Sequence, residues 1–180
     1  RCGPDQAAGA PTGALGEAYF WGLIETRPYM RARAALAAAL YETGSVDQAV
    51  EHYWELLRLN PGDNQGIRLS LLPILLFQGN DKAVEDLLSR FPDSPMAMWL
   101  YGAALHYFRR EGDSTSARRW RDQAKKANRH APKYLSGKKR IPKELPGPFT
   151  LGGEDEAILC GASLAPLWSE TPGALEWLGS

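Results

Sequence analysis

The side chains with the widest chemical range in this chain are its three histidines and two cysteines. They are His52, His106, His130, Cys2 and Cys160, and no two of them lie close together in the sequence. Structural zinc sites draw their ligands from Cys and His residues at short, regular spacing. We therefore expect no metal site and no cofactor, and we interpret the histidines as packing residues. Cysteines this far apart are typical of reduced thiols in a cytosolic protein, so we expect a cytoplasmic location.

Motifs for nucleophilic catalysis and phosphate binding are absent from the sequence. It contains no GxSxG nucleophile elbow and no glycine-rich phosphate loop. Gly152 and Gly153 are followed by three carboxylates, Glu154, Asp155 and Glu156. These carboxylates would repel a phosphate, and they suit the positive end of a helix dipole instead. We predict that the chain is not an enzyme.

Basic residues are concentrated in one segment, residues 118–143. It holds eleven Lys and Arg residues and one acidic residue, Asp122, which gives a net charge of +10. Three interpretations stay open: a solvated basic surface, a site for an acidic protein segment, and a nucleic-acid site to which Trp120 and Tyr134 contribute stacking. A pI near 7.0 speaks against nucleic acid. The candidate anion-binding residues are Arg118, Arg119, Lys138, Lys139 and Arg140.

A regular series of predicted helices positions these residues. Thr26 and Ser45 are expected N-caps of the first two helices, which are separated by Gly44 and end at Asn60-Pro61. Two further helix pairs follow, separated internally by Gly79 and Gly112. The three glycines recur at spacings of about 34 residues, the signature of a helical repeat protein.

This pattern resembles the tetratricopeptide repeat over residues 26–130. The first repeat matches at six positions: Leu36, Leu40, Gly44, Ala49, Tyr53 and Pro61. It departs from the family at Arg33 and Ala37, and the second repeat is degenerate, with Pro73 inside a helix and a shortened second helix. The resemblance implies an all-α solenoid of about three helix pairs, with C-terminal helices that cap it.

The resemblance also implies a concave groove that binds a peptide. In the register of the repeat, six residues lie near that groove: Tyr41, Phe77, Trp99, His106, Arg109 and Arg110. Aromatic side chains next to arginines suit a peptide that carries apolar anchors and a carboxylate. Ala34 and Ala38 occupy positions at which some members of the family hold chaperone C-termini, and these alanines have no donor to offer.

The last fifty residues, 131–180, are predicted to form a basic, proline-rich connector followed by two helices that pack on the solenoid. His130, Pro132, Lys133, Tyr134 and Leu135 resemble the C-terminal part of the suppressor-of-tumorigenicity-seven family, as do two later glycine motifs at residues 153–157 and 173–175. Members of that family carry membrane-spanning segments. In this chain the longest strongly apolar run, residues 69–77, is about half of what a span requires, so we expect no membrane span.

The sequence therefore predicts a non-enzymatic scaffold that binds a protein or peptide partner in or beside the groove. Two alternatives stay open: polyanion or nucleic-acid binding through residues 118–143, and a helper domain of a larger enzyme. Residues 1–25 are expected to form a loose segment. Because the chain begins with Arg1 rather than Met, we expect a processed protein or a piece of a longer one.

Overall fold

The computed structural model describes residues 20–179, and every regular element in them is a helix. The all-helical prediction is confirmed for this part of the chain. Two short 3-10 turns, Phe20–Gly22 and Ile24–Thr26, precede the first α-helix, whereas the rest of the predicted loose segment, residues 1–19, lies outside the described residues. The α-helices are α1 (Arg27–Glu42), α2 (Val46–Leu59), α3 (Ile67–Gln78), α4 (Asp81–Arg90), α5 (Ala97–Glu111), α6 (Thr115–Ala127), α7 (Ala131–Leu135), α8 (Glu154–Ser169) and α9 (Ala174–Gly179).

The chain divides into two compact units, residues 1–68 and residues 69–180, with the boundary inside α3. In unit 1, α1 packs against α2, and the buried positions include Met30, Ala37, Tyr53 and Leu56. Gly44 ends α1 at a φ of 85°, because the amide of Ser45 can then donate to the carbonyl of Leu40 at 2.8 Å. The predicted end of the first helix is thus confirmed.

Thr26 and Ser45 occupy the predicted N-cap positions of α1 and α2, but neither side chain accepts a hydrogen bond from its helix. The hydroxyl of Thr26 donates to the carbonyl of Leu23 at 2.9 Å instead. True side-chain caps occur at α4 and α6, where Asn80 and Ser114 accept from the amides three residues ahead. The sequence therefore located the helix starts, while local packing decided which of them are capped.

Helix α5 is the central element of unit 2. Residues 99–106 are all buried, so this helix is apolar on every side and needs neighbours all round. Both α6 and α8 pack against it. Helix α3 also comes close at Gly102, where an added Cβ would lie 2.7 Å from a methyl group of Leu72. Helix α3 continues through Pro73.

A buried glutamate joins the start of α8 to three other elements of unit 2. The carboxylate of Glu156, which is 4 % exposed, accepts from the amide of Ala97 at 2.8 Å, from the amide of Gly152 at 2.8 Å and from the side chain of Asn128 at 2.9 Å. Ala97 is the first residue of α5, Asn128 ends α6, and Gly152 precedes α8. The carboxylate thus replaces a local N-cap for α5, since Met96 has no side-chain oxygen to offer.

Asn128 extends this connection, which we call the Glu156–Asn128 network. Its side-chain oxygen accepts from the amides of His130 and Ala131 at 3.0 and 3.2 Å, so it also holds the start of α7. Its backbone carbonyl accepts from the hydroxyl of Tyr101 at 2.8 Å, and burial raises the pKa of that tyrosine. The network therefore fixes the ends of the helices that frame residues 136–153, which we call the connector.

We expect Glu156→Gln to lower the free energy of unfolding by about 2 to 4 kcal/mol. A glutamine keeps one acceptor oxygen for three donors, two of them buried, and brings an NH2 group among them. Urea unfolding followed by circular dichroism measures the loss. Glu154→Gln is the matched control, because Glu154 is exposed and pairs with Lys139 at the surface, so its loss should be small. Equal stability of the two variants would contradict a structural role for the Glu156–Asn128 network.

Candidate binding surface

Trp99 and His106, two residues predicted for the peptide groove, lie inside unit 2. Their exposed fractions are 0 % and 1 %. Trp99 packs edge-on against Phe91, with ring centroids 6.0 Å apart. The prediction that they face a groove is wrong, because Phe91 at the end of α4 covers Trp99, and His106 lies against Asp81 and Glu85 of the same helix. Repeat register places both residues near the inner surface of the predicted solenoid, but in the structure both side chains are buried.

The side chain of Arg109 links the ends of several helices through hydrogen bonds. Its guanidinium donates to the carbonyl of Leu76 at 2.8 Å, to the carbonyl of Leu167 at 3.0 Å and to the hydroxyl of Thr171 at 2.8 Å. These bonds join α5 to the C-terminal ends of α3 and α8. A guanidinium that satisfies two helix carbonyls is committed to the fold, so Arg109 is a poor candidate for binding a partner's carboxylate.

The other three groove candidates are exposed. Tyr41, in unit 1, is 43 % exposed, and Phe77, in unit 2, is 67 % exposed. Arg110, also in unit 2, pairs with Glu85 of α4. Of the six predicted peptide-binding residues, Tyr41, Phe77, Arg109 and Arg110 are thus exposed, and the two arginines already have partners within unit 2.

His106 is the buried titratable group of this region. Its Nδ1 lies 3.5 Å from the carboxylate of Asp81, and its Nε2 lies 3.9 Å from that of Glu85 and has no hydrogen-bond partner. Burial lowers the pKa of His106, Asp81 raises it, and Arg109 lowers it further. Burial prevails, so the imidazole is neutral near pH 7 and makes no ion pair with either carboxylate.

Three of the eleven cations in the basic segment form ion pairs that can be described within residues 20–179. Arg118 donates to Asp113 with its Nε at 2.7 Å, Arg121 lies 3.2 Å from Asp122, and Lys139 pairs with Glu154. Seven more are exposed and form no ion pair with the described residues. These seven, which we call the unpaired cations, are Arg119, Lys126, Arg129, Lys133, Lys138, Arg140 and Lys143.

The aromatic residues of the basic segment are not free for base stacking. Tyr134 is 2 % exposed, and its hydroxyl donates to Glu154 at 3.1 Å. Trp120 is half-buried and stacks on Tyr107, with the ring planes 10° apart and the centroids at 6.1 Å. The predicted stacking role of Tyr134 is therefore wrong in this fold, and one face of Trp120 is already covered.

An apolar pocket lies beside the connector, and sequence reasoning missed it. Its volume is about 170 Å³. Leu145 and Phe149 of the connector form one side, and residues of α3, α5 and α8 form the rest. The main lining residues are Leu69, Met96, Met98, Leu145, Phe149 and Leu159. Two large apolar residues four apart in a basic, proline-rich stretch were the signal that the connector docks back on the fold.

Two further kinds of feature, a metal centre and a membrane span, are absent from the described residues. Within residues 20–179, no three His, Cys, Asp or Glu side chains come together as a metal site would require, and no helix is long and apolar enough to cross a bilayer. Comparisons of this chain with family models, with curated proteins and with solved structures gave no match. The resemblances to the tetratricopeptide repeat and to the suppressor-of-tumorigenicity-seven family stay predictions.

We expect the free energy of unfolding to decrease as the pH drops below about 6.5, because His106 is buried in its neutral form. A buried imidazole with a lowered pKa binds fewer protons in the folded than in the unfolded chain, for which the pKa is about 6.5. Its contribution is therefore fully present above that value and is lost as the pH falls towards the folded-state pKa.

Urea unfolding between about pH 7.5 and 5.5 measures this dependence in the wild type and in His106→Gln, which should flatten it. An NMR titration of the His106 imidazole provides the direct test. A pKa at or above 6.5 in the folded protein would contradict the assignment.

Proposed function

We propose that this chain is a non-enzymatic protein-interaction scaffold built of helix pairs of the tetratricopeptide type. It binds an acidic segment of a protein partner beside the predicted groove, through α6 and the connector. The observation that carries this proposal is the set of seven unpaired cations. A chain with equal numbers of acidic and basic residues has enough carboxylates to pair them, yet it keeps them exposed on one contiguous segment.

The position of the binding surface follows from what covers α5. Helix α4 and Phe91 lie against His106 and Trp99, so a peptide cannot reach either residue without displacing part of the same chain. The exposed residues of α6 and the connector face no such obstacle. A single-sign surface of this kind raises the rate at which an oppositely charged partner arrives and suppresses partners of like charge.

Helix α6 gives part of this surface a rigid base. Ala117 and Ala124 are buried, and the hydroxyl of Ser114 caps the helix by accepting from the amide of Ala117 at 3.0 Å. Arg121 donates to the carbonyl of Trp177 at 3.0 Å and lies over its ring at 4.9 Å. Cations held on a fixed helix keep a defined spacing, and a fixed spacing allows a scaffold to select one acidic pattern over another.

The burial of the reactive groups supports a role without catalysis. Cys160 is fully buried, and burial raises the pKa of its thiol, which makes the thiolate scarce. His106 is buried and neutral, with Nε2 facing no donor or acceptor within bonding distance. Cys160 and His106, whose side chains could act on a substrate, are therefore buried packing residues.

Polyanion binding is the second candidate, and the same seven unpaired cations favour it. Nucleic acid would gain from aromatic stacking as well as from charge. The burial of Tyr134 and the stacking of Trp120 on Tyr107 reduce that contribution to one face of Trp120. An acidic protein segment can bind through the cations without base stacking. We therefore prefer it to nucleic acid as the ligand of this surface.

We expect the triple variant Lys138→Glu/Arg140→Glu/Lys143→Glu to lose the protein partner at least tenfold in a pull-down from native extract, because three attractive charges become repulsive. The control is Arg31→Glu/Arg58→Glu/Lys82→Glu, which changes the net charge equally at exposed sites outside the basic segment. Circular dichroism checks that both variants stay helical.

Retention of the partner by the connector variant, or equal loss in the control, would contradict the proposed surface. A nuclease-treated extract separates the two candidates. Recovery that disappears with nuclease would assign the surface to nucleic acid and exclude a direct protein partner.

A further inference from the structure

We infer that the apolar pocket beside the connector receives one large apolar side chain of the partner, and that acidic residues flank that side chain in the partner's sequence. This inference rests on the proposed function and names the chemistry of the segment that the scaffold recognises. It follows from the size of the pocket, the bonding of its only charged lining residue and the charges next to it.

The pocket has the size and lining of an anchor site. An apolar cavity of about 150 Å³ holds a benzene molecule, and this one measures about 170 Å³. It therefore has room for one leucine, methionine or phenylalanine side chain. Met96 and Met98 contribute flexible, polarisable walls, which adapt to different apolar groups. Leu145 is 51 % exposed at the rim and would lose much of that exposure when an anchor side chain enters.

Glu156 lines the pocket, but its carboxylate does not make the pocket polar. Its two oxygens already accept three hydrogen bonds, from the amides of Ala97 and Gly152 and from the side chain of Asn128. A carboxylate so well supplied with donors has little need of a further one from a ligand. An apolar occupant therefore leaves Glu156 with all its hydrogen bonds, and the hydroxyl of Ser163 is the other polar side-chain group of oxygen or nitrogen in the lining.

The charge beside the pocket selects the residues around the anchor. Lys143 precedes the lining residue Leu145 by two positions, which places their Cα atoms within about 7 Å of each other. Lys138 and Arg140 lie on the same connector, and all three are unpaired cations. Glu144 is the one acidic residue between Lys138 and Leu145. The connector is thus net positive next to an apolar recess, and the complementary segment is an apolar residue between carboxylates.

A protein segment fits this surface better than a membrane does. Binding to a lipid surface needs a broad apolar face that lies in the bilayer interface. Here the recess is enclosed by α3, α5, α8 and the connector, and it admits one side chain. A protein side chain needs only the recess, whereas a lipid surface needs a broad apolar face around it. The experiment below distinguishes these two occupants.

The test uses the whole chain and synthetic peptides of seven residues, with aspartate and glutamate around a central position that carries each of the twenty amino acids in turn. Fluorescence anisotropy measures binding. We expect leucine, methionine or phenylalanine at the centre to bind about tenfold or more tightly than alanine. Peptides with the same centres and asparagine and glutamine flanks should bind more weakly than the acidic ones.

Two variants test the pocket itself. Ala162→Leu fills it from α8, and it should remove the preference for a large central residue while leaving the weak binding of the alanine peptide. Ala165→Leu is the matched control, since Ala165 lies on the same helix and does not line the pocket. Leu145→Ala removes exposed apolar surface at the rim, so it should reduce the preference without affecting the fold.

The outcomes distinguish this inference from the proposed function. If the central residue makes no difference and Ala162→Leu binds as the wild type does, the inference is overturned, while charge-dependent binding would still support the scaffold. If the triple connector variant binds every peptide as the wild type does, the proposed function fails as well. Binding to vesicles of anionic phospholipid that Ala162→Leu abolishes would assign the pocket to a membrane surface and overturn the inference.

Discussion

Unit 2 depends on one buried carboxylate, which accepts hydrogen bonds at the ends of several helices. Glu156 accepts hydrogen bonds from the first amide of α5, from the amide of Gly152 before α8, and from Asn128 at the end of α6. The donors from Ala97 and Asn128 are buried away from water, and an unpaired buried donor is costly. Because the residues come from three distant parts of the chain, none of the helix ends can be satisfied until the others are in place. The network therefore couples the C-terminal helices to the rest of the unit.

That coupling bears on why the proposed binding surface differs from the one that the repeat pattern suggests. A helix apolar on all sides, as α5 is over residues 99–106, must be covered all round. Helix α8 supplies part of the cover, with Gly161 so close to α7 that an added Cβ would lie 2.6 Å from the Cβ of Tyr134. Trp99 and His106, which were expected at a groove, are core residues, whereas the unpaired cations of α6 and the connector stay exposed.

Much of the helical pattern was predictable because it depends on short-range rules. Gly44 and Gly79 end helices at positive φ, where a residue without Cβ has no penalty. The start of α8 at Glu154 follows from three carboxylates at a helix N-terminus. By contrast, the role of Arg109 was not predictable, since its partners Leu76, Leu167 and Thr171 are 33, 58 and 62 residues away. The same is true of the pocket, whose walls come from α3, α5, α8 and the connector.

The sequence by itself determined the helical class of the described residues, the ends of the early helices and the concentration of positive charge in residues 118–143. These properties depend on residue type and on spacing of a few positions, which the chain carries locally. Only the tertiary structure decided which charges are paired, that Trp99, His106 and Tyr134 are buried, and that Leu145 and Phe149 line a pocket. The physical reason is that burial and pairing depend on which surfaces meet, and here they meet through contacts between residues far apart in the chain.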